Sequence, residues 1–195
     1  MKFALLAAWP LLLQESPPAP FLQLKEGTVW TYVSAGTEGR IKVTGREKVG
    51  EIETWVLTTQ VEGEPAQREC ITLDASGIRL HRQATGDRVT EYATPMVRLK
   101  LPPAKGETWE WNGEIGEAKA SVAFKNEGEV DVKVPAGAYK AWKVSVVISI
   151  GNDKHTGTNW YAPGVGIVKQ VSQFDSGSGK KQERLIELKS YEPAK

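Results

Sequence analysis

Cysteine is nearly missing from this chain. Cys70 stands alone among 195 residues, so no intramolecular disulfide is available and the fold has to be held by its core. Histidine is as scarce: His81 and His155 are the only two, and neither lies at a zinc-ligand spacing from Cys70 or from the other. No histidine is placed to activate Cys70, and "RECITLD" around it reads as a short strand in which the thiol is a small buried hydrophobe. No metal, no cofactor and no catalytic residue is expected, and the chain does not read as an enzyme.

An excess of charge of either sign is absent too. Lys and Arg number 25 against 24 Asp and Glu, interleaved without long blocks, which excludes a field that would gather nucleic acid. The leading apolar run, Phe3 to Leu13, is shorter than the ~20 residues of a membrane-spanning helix. With Lys2 ahead of it, this run has the form of a secretory signal. Residues 1–20 are accordingly expected to be a signal peptide and short linker, processed near Gln14 to Ala19. No cysteine follows the run to carry a lipid anchor, so residues 21–195 should form an exported domain, periplasmic or extracellular, with no stable membrane span once the signal is removed.

Helical periodicity is the last thing lacking, since no segment carries an apolar stripe over three turns. What the chain has instead is alternation. Ala118, Ala120, Val122 and Phe124 alternate with Lys119, Ser121 and Lys125, and Val130, Val132 and Val134 alternate with Asp131 and Lys133. "VPAG" then supplies a turn, and Trp142 to Ile150 reads as a long strand with Trp142, Val144, Val146, Ile148 and Ile150 on one face. "ITLDASGIRLHRQ" reads as two strands around a turn at Asp74 to Gly77, with Arg79 and His81 on the polar side; "GNDKHTGTN" reads as a loop. The closing "KKQERLIELKSYEP" fits a strand after a hairpin loop at "FDSGSGKK". The 19 glycines and 11 prolines suit many short strands joined by turns. The expected fold is all-β: a single curved antiparallel sheet or half-barrel of about ten to twelve strands, a number at which a sheet must curl or pack against another.

Seven tryptophans are the chain's other asset. "KEGTVWTY" and "KGETWEW" share a skeleton of Gly, two residues, Trp, one residue, aromatic. Trp55 and Trp142, then Gly77 and Gly166, recur in the same order. Internal similarity of this kind suggests two pseudo-repeat halves, about 21–100 and 101–195. On a strand Trp30 and Tyr32 share a face, as do Trp109 and Trp111, whose opposite face carries Thr108 and Glu110. These ladders either fill the hollow of a curled sheet or line it. If a ligand is held, Trp30, Tyr32, Trp109, Trp111 and the Trp160–Tyr161 pair of "NWY" are the residues to line its site.

"EGTVWTY", "VPAGAYKAWKV" and "NWYAPGVGIVK" together resemble the TapB-like exported bacterial β-proteins of unknown function, over nearly all of residues 21–195. The resemblance implies a curved antiparallel sheet, similar in architecture to the half-barrels of LolA-like periplasmic carriers, and it implies no catalytic residues. "GVGIVK" and "SGSGKK" lack the remaining residues of a dinucleotide or Walker loop and read as turns. Two functions follow as expectations. The first is a non-catalytic binding or carrier module for a lipid or other apolar small molecule. The alternative is a structural or interaction scaffold with a filled core that meets an envelope protein partner.

Overall fold

The computed structural model describes residues 21–116, 118–175 and 181–195. The expected signal segment, residues 1–20, lies outside them, as do residues 176–180 of the expected last hairpin loop. Among the described residues there are twelve strands and no helix. The first six are β1 (Val29–Ser34), β2 (Thr37–Val49), β3 (Ile52–Val61), β4 (Gln67–Asp74), β5 (Gly77–Thr85) and β6 (Arg88–Lys100). The second six are β7 (Thr108–Ile115), β8 (Ala118–Val134), β9 (Gly137–Ile150), β10 (Asp153–Ala162), β11 (Gly166–Asp175) and β12 (Lys181–Glu192).

All twelve belong to one sheet in the order β6-β5-β4-β3-β2-β1-β12-β11-β10-β9-β8-β7, and every neighbouring pair is antiparallel. Two meanders thus meet where β1 lies beside β12, and the free edges are β6 and β7. The expected single curved antiparallel sheet is present, curled far enough to be nearly a closed barrel. The echoed landmarks fall at the starts of β1 and β7, within β3 and β9, and at the starts of β5 and β11. Any twelve-strand meander cut in half offers that spacing, so topology adds nothing to the sequence argument for repetition.

Alternation drives the curl. Along β7 and β8, Trp109, Trp111, Ala120, Val122 and Phe124 are buried while Thr108, Glu110, Lys119, Ser121 and Lys125 are exposed, so one face must be taken from water. Bulges then bend the strands: β2 carries an extra residue between Val43 and Gly45, and β8 one between Asn126 and Gly128. Gly128 holds φ at +108° at the second bulge, where its N–H donates to Asn126 Oδ1 at 2.9 Å. That bulge also disturbs the expected face of β9. Val144 and Val146 are buried as read, with Ile148 and Ile150 packed on the core. Opposite the bulge the alternation breaks, so Ala141 is fully buried and Trp142 is only half-buried, outside the main cluster.

The two ends of the barrel differ. At one end Leu22 packs toward Gly166, the Trp30 indole donates to Val165 O at 2.8 Å, and the tip of the β8–β9 hairpin bonds Leu188 through Ala136 N at 2.9 Å. Val43, Leu99, Val168 and Leu188 have no exposed surface there. This end is solid. Toward the β1–β2 and β3–β4 turns the interior is hollow.

Candidate functional site

The hollow is a lumen of about 440 Å³, to which each of the twelve strands contributes lining. Volumes of ~300–1,000 Å³ are usual for small-molecule sites. At its rim stand the exposed residues Glu38 and Glu64, so the cavity reaches the surface at the turn end. One wall is apolar: Val122 and Phe124 of β8 and Val146 and Ile148 of β9, with Ile115 beside them. Elsewhere the lining is mixed, with uncharged polar side chains at Thr59, Gln67, Asn159 and Gln170.

The floor is built from four residues. Arg98 of β6 and Glu69 of β4 reach across β5 and pair twice, Nη2 to Oε1 at 2.6 Å and Nη1 to Oε2 at 3.0 Å. Burial works against the Arg98 charge, yet the Glu69 carboxylate outweighs it and holds the guanidinium's pKa above its ordinary value. Tyr161 donates to Arg98 O at 3.4 Å and Tyr32 to Ile167 O at 2.7 Å. Burial pushes the Tyr161 hydroxyl up to about 12, against the pull of Arg98, and raises that of Tyr32, so both stay neutral donors at any ordinary pH. Beneath this floor lies a second chamber of about 80 Å³, lined by Leu22, Trp30, Leu57, Ile71 and Ile78, with the four floor residues as its roof.

The sequence-expected site residues therefore divide. Tyr32 and Tyr161 line the lumen, and Trp30 lines the small chamber below it. Trp109 and Trp111 line neither cavity. Trp109 stacks on Phe124 at 5.2 Å and Trp111 meets Tyr92 edge-on at 5.4 Å. Their indoles donate to Val97 O at 2.8 Å and Thr94 O at 2.6 Å, on β6. No backbone ladder joins β6 to β7, so these two side chains seal the seam. Trp160 faces away from the lumen, with the ammonium groups of Lys143 and Lys169 at 5.9 and 5.8 Å from its ring. Its neighbours Asn159 and Tyr161 point inward, and alternation alone separates Trp160 from them.

Glu69 and Arg98 were not anticipated. The signal was present in "PMVRLK": with Met96 inward, Arg98 two residues on shares its face, and a charge on an apolar face of a strand asks for a partner. The scarce residues sit elsewhere. Cys70 belongs to a small cluster with Val49 and Val56 and donates to Glu47 Oε1 at 3.2 Å. Burial, then this bond, pushes its thiol up to about 11. His81 is buried, where the sequence placed it on a polar face: the ladder between β4 and β5 shifts register beside it, and its Nε2 bonds Thr72 Oγ1 at 2.9 Å. His155 lies in β10, which starts at Asp153 and absorbs most of the expected loop. Among the described residues no three His, Cys, Asp or Glu side chains converge as a metal site would require.

Residues 115–183 match the model of the DUF3108-like family. No curated protein matches the chain. Two solved structures share the fold. One is a Bacteroides fragilis protein, taken to be exported, with a YmcC-like fold; it is 16% identical with a TM-score of 0.56 and covers 89% of this chain and 99% of its own. The other is a Parabacteroides distasonis protein taken to be a lipoprotein, 14% identical with a TM-score of 0.55, covering 91% of this chain and all of its own. The sequence resemblance to β-proteins of unknown function holds at this level, while the TapB-like name and the LolA comparison are not what these matches carry.

Proposed function

We propose that this protein is an exported, non-catalytic binding module that holds an apolar-chain small molecule in the barrel lumen. The observation that carries the reading is the lumen of about 440 Å³ with an apolar wall of Val122, Phe124, Val146 and Ile148, reaching the surface at one end while the other end is packed. Burial of an alkyl chain there gains about 25 cal/mol per Å² of apolar surface withdrawn from water. Export is supported by Lys2 and the apolar run behind it, and agrees with how the two structural relatives are described. The non-catalytic part is supported by the thiol of Cys70, held protonated and turned to Glu47. The scaffold alternative draws its support from the packed half of the barrel, and the hollow half separates the two readings.

A neutral apolar dye, N-phenyl-1-naphthylamine, tests the reading. It should brighten on addition to the protein and saturate near one dye per chain. Ile148→Trp, which places a large ring in the lumen, should abolish the signal while leaving the thermal midpoint within a few degrees. No brightening, or brightening indifferent to Ile148→Trp, sinks the proposal.

A further inference from the structure

The charges of the lumen say which class of ligand it accepts. Among its lining residues Glu38, Glu64 and Arg184 are exposed at the mouth, where water screens the charge they can offer a head group, and Glu38 is already paired with Lys189. Inside, the charged lining residues are Glu69 and Arg98. They pair end-on through two hydrogen bonds, at 2.6 and 3.0 Å, and their charges cancel. The pair is nonetheless within a ligand's reach: the side chains keep 22% and 27% of their surface accessible, and both residues line the lumen.

An anionic head group carried past the mouth, away from water, would need a free cation inside. Beside this neutral pair an anion either adds an unbalanced charge or draws Arg98 away and leaves the Glu69 carboxylate unpaired in the barrel interior, and a cationic head group does the same to Arg98. Either exchange costs more than it returns, because an unpaired buried charge is among the most unfavourable features a fold can hold. An uncharged polar group disturbs nothing. Gln67 and Gln170 carry both donors and acceptors, Thr59 a hydroxyl, and all three are half-buried on the lumen wall.

Resting on the binding reading above, we infer that the lumen selects an uncharged amphiphile. Its alkyl chain lies on Val122, Phe124, Val146 and Ile148, and its hydroxyl or amide groups meet the Gln67, Gln170 and Thr59 side chains. Free fatty acids and alkyl amines of the same length are discriminated against by the closed Glu69–Arg98 pair.

The test displaces N-phenyl-1-naphthylamine from the native protein with three ten-carbon amphiphiles at monomer concentrations: 1-monodecanoylglycerol, decanoate and decylammonium. The glycerol ester should bind at least tenfold tighter than either ion. Glu69→Gln removes the carboxylate and frees Arg98, so decanoate should gain tenfold or more on that variant while the ester changes little. Should Glu69→Gln fail to fold, the double variant Glu69→Leu/Arg98→Met removes the pair as a unit and should keep decanoate weak. Decanoate as tight as the ester on the native protein overturns the inference, and so does a folded Glu69→Gln that leaves decanoate unchanged. If the dye binds but none of the three displaces it, the inference falls and the binding reading stands. If the dye itself does not bind, both fall.

Discussion

The indole N–H of Trp111 lies 2.6 Å from the backbone oxygen of Thr94, across the one break in the ring of strands described. On the neighbouring inward position Trp109 repeats the contact with Val97. Trp111→Phe keeps an aromatic ring but removes the donor, which leaves a β6 carbonyl without its partner and a small void. A loss of about 1–3 kcal/mol follows from those two terms. Urea unfolding measures it, and hydrogen exchange should show the β6 and β7 amides opening before those of β3 and β9. An unchanged midpoint would mean that the seam contributes nothing.

Gly113 lies under the same ring. A Cβ there would overlap the six-membered part of the Trp111 indole, and its φ is not in the left-handed region, so the whole cost of Gly113→Ala is steric. The variant should lose about as much stability as Trp111→Phe. Because both act on one contact, the double variant should lose clearly less than the sum, by about 0.5 kcal/mol or more. Strict additivity would show that Gly113 and Trp111 are not coupled.

Gly77 and Gly166 both hold positive φ, +151° and +95°, but their surroundings differ. A Cβ at Gly77 would run into the backbone oxygen of Leu99, which the β5–β6 ladder holds in place. At Gly166 it would meet Leu22 Cδ1 at 2.6 Å, the end of a side chain that can rotate away. Gly166→Ala should cost about 1–2 kcal/mol from its backbone alone, and Gly77→Ala roughly 3 kcal/mol or more. Thermal unfolding of the two variants gives the ranking, and the reverse order would contradict this reading.

Cys70 offers a prediction in pH. Burial first, and Glu47 second, raise its folded pKa from 9.0 to about 11. Below the unfolded value the thiol is neutral in both states and stability is unaffected. As pH climbs toward 11 the unfolded chain ionises first, so stability falls across that window. At pH 8 the native thiolate fraction is about a hundredth of that in the unfolded chain, and with burial shielding the sulfur as well, the rate with a thiol reagent should be well below that in denaturant, since the thiolate is the reactive species. Equal rates in buffer and in denaturant would place Cys70 in an environment other than the one described.

How much of this was legible beforehand can be argued strand by strand. The alternation of "TWEW", "ASVAF" and "VDVKV" carries its own faces, and the curled single sheet follows from having so many such strands. The tryptophans of "KGETWEW" point inward as their spacing requires, yet their task depends on β6, because a sequence does not say which carbonyl an indole will find. Bulges are the second obstacle. One extra residue in β8 is enough to bury Ala141 in place of Trp142, and a register shift beside His81 accompanies the burial of a side chain that pattern alone leaves wet. The lumen floor was the hardest part, since Glu69 and Arg98 belong to strands separated by a third. Only closure of the sheet tells which of the chain's many charges end up inside.

The order of the strands carries a cost in time. Each meander can form from contacts between successive hairpins, but β1 and β12 join residues about 160 positions apart, as in the pairing of Trp30 with Tyr191. Until β12 docks, β1 and β11 each present a row of unpaired backbone groups in what will become the middle of the wall. The last strand is therefore the keystone: until it is made and docked, the rest of the chain has two adhesive flanks in place of a closed wall. Whatever shields those flanks during that interval, whether a chaperone or simple speed, is as much a requirement of this fold as the residues that line its interior.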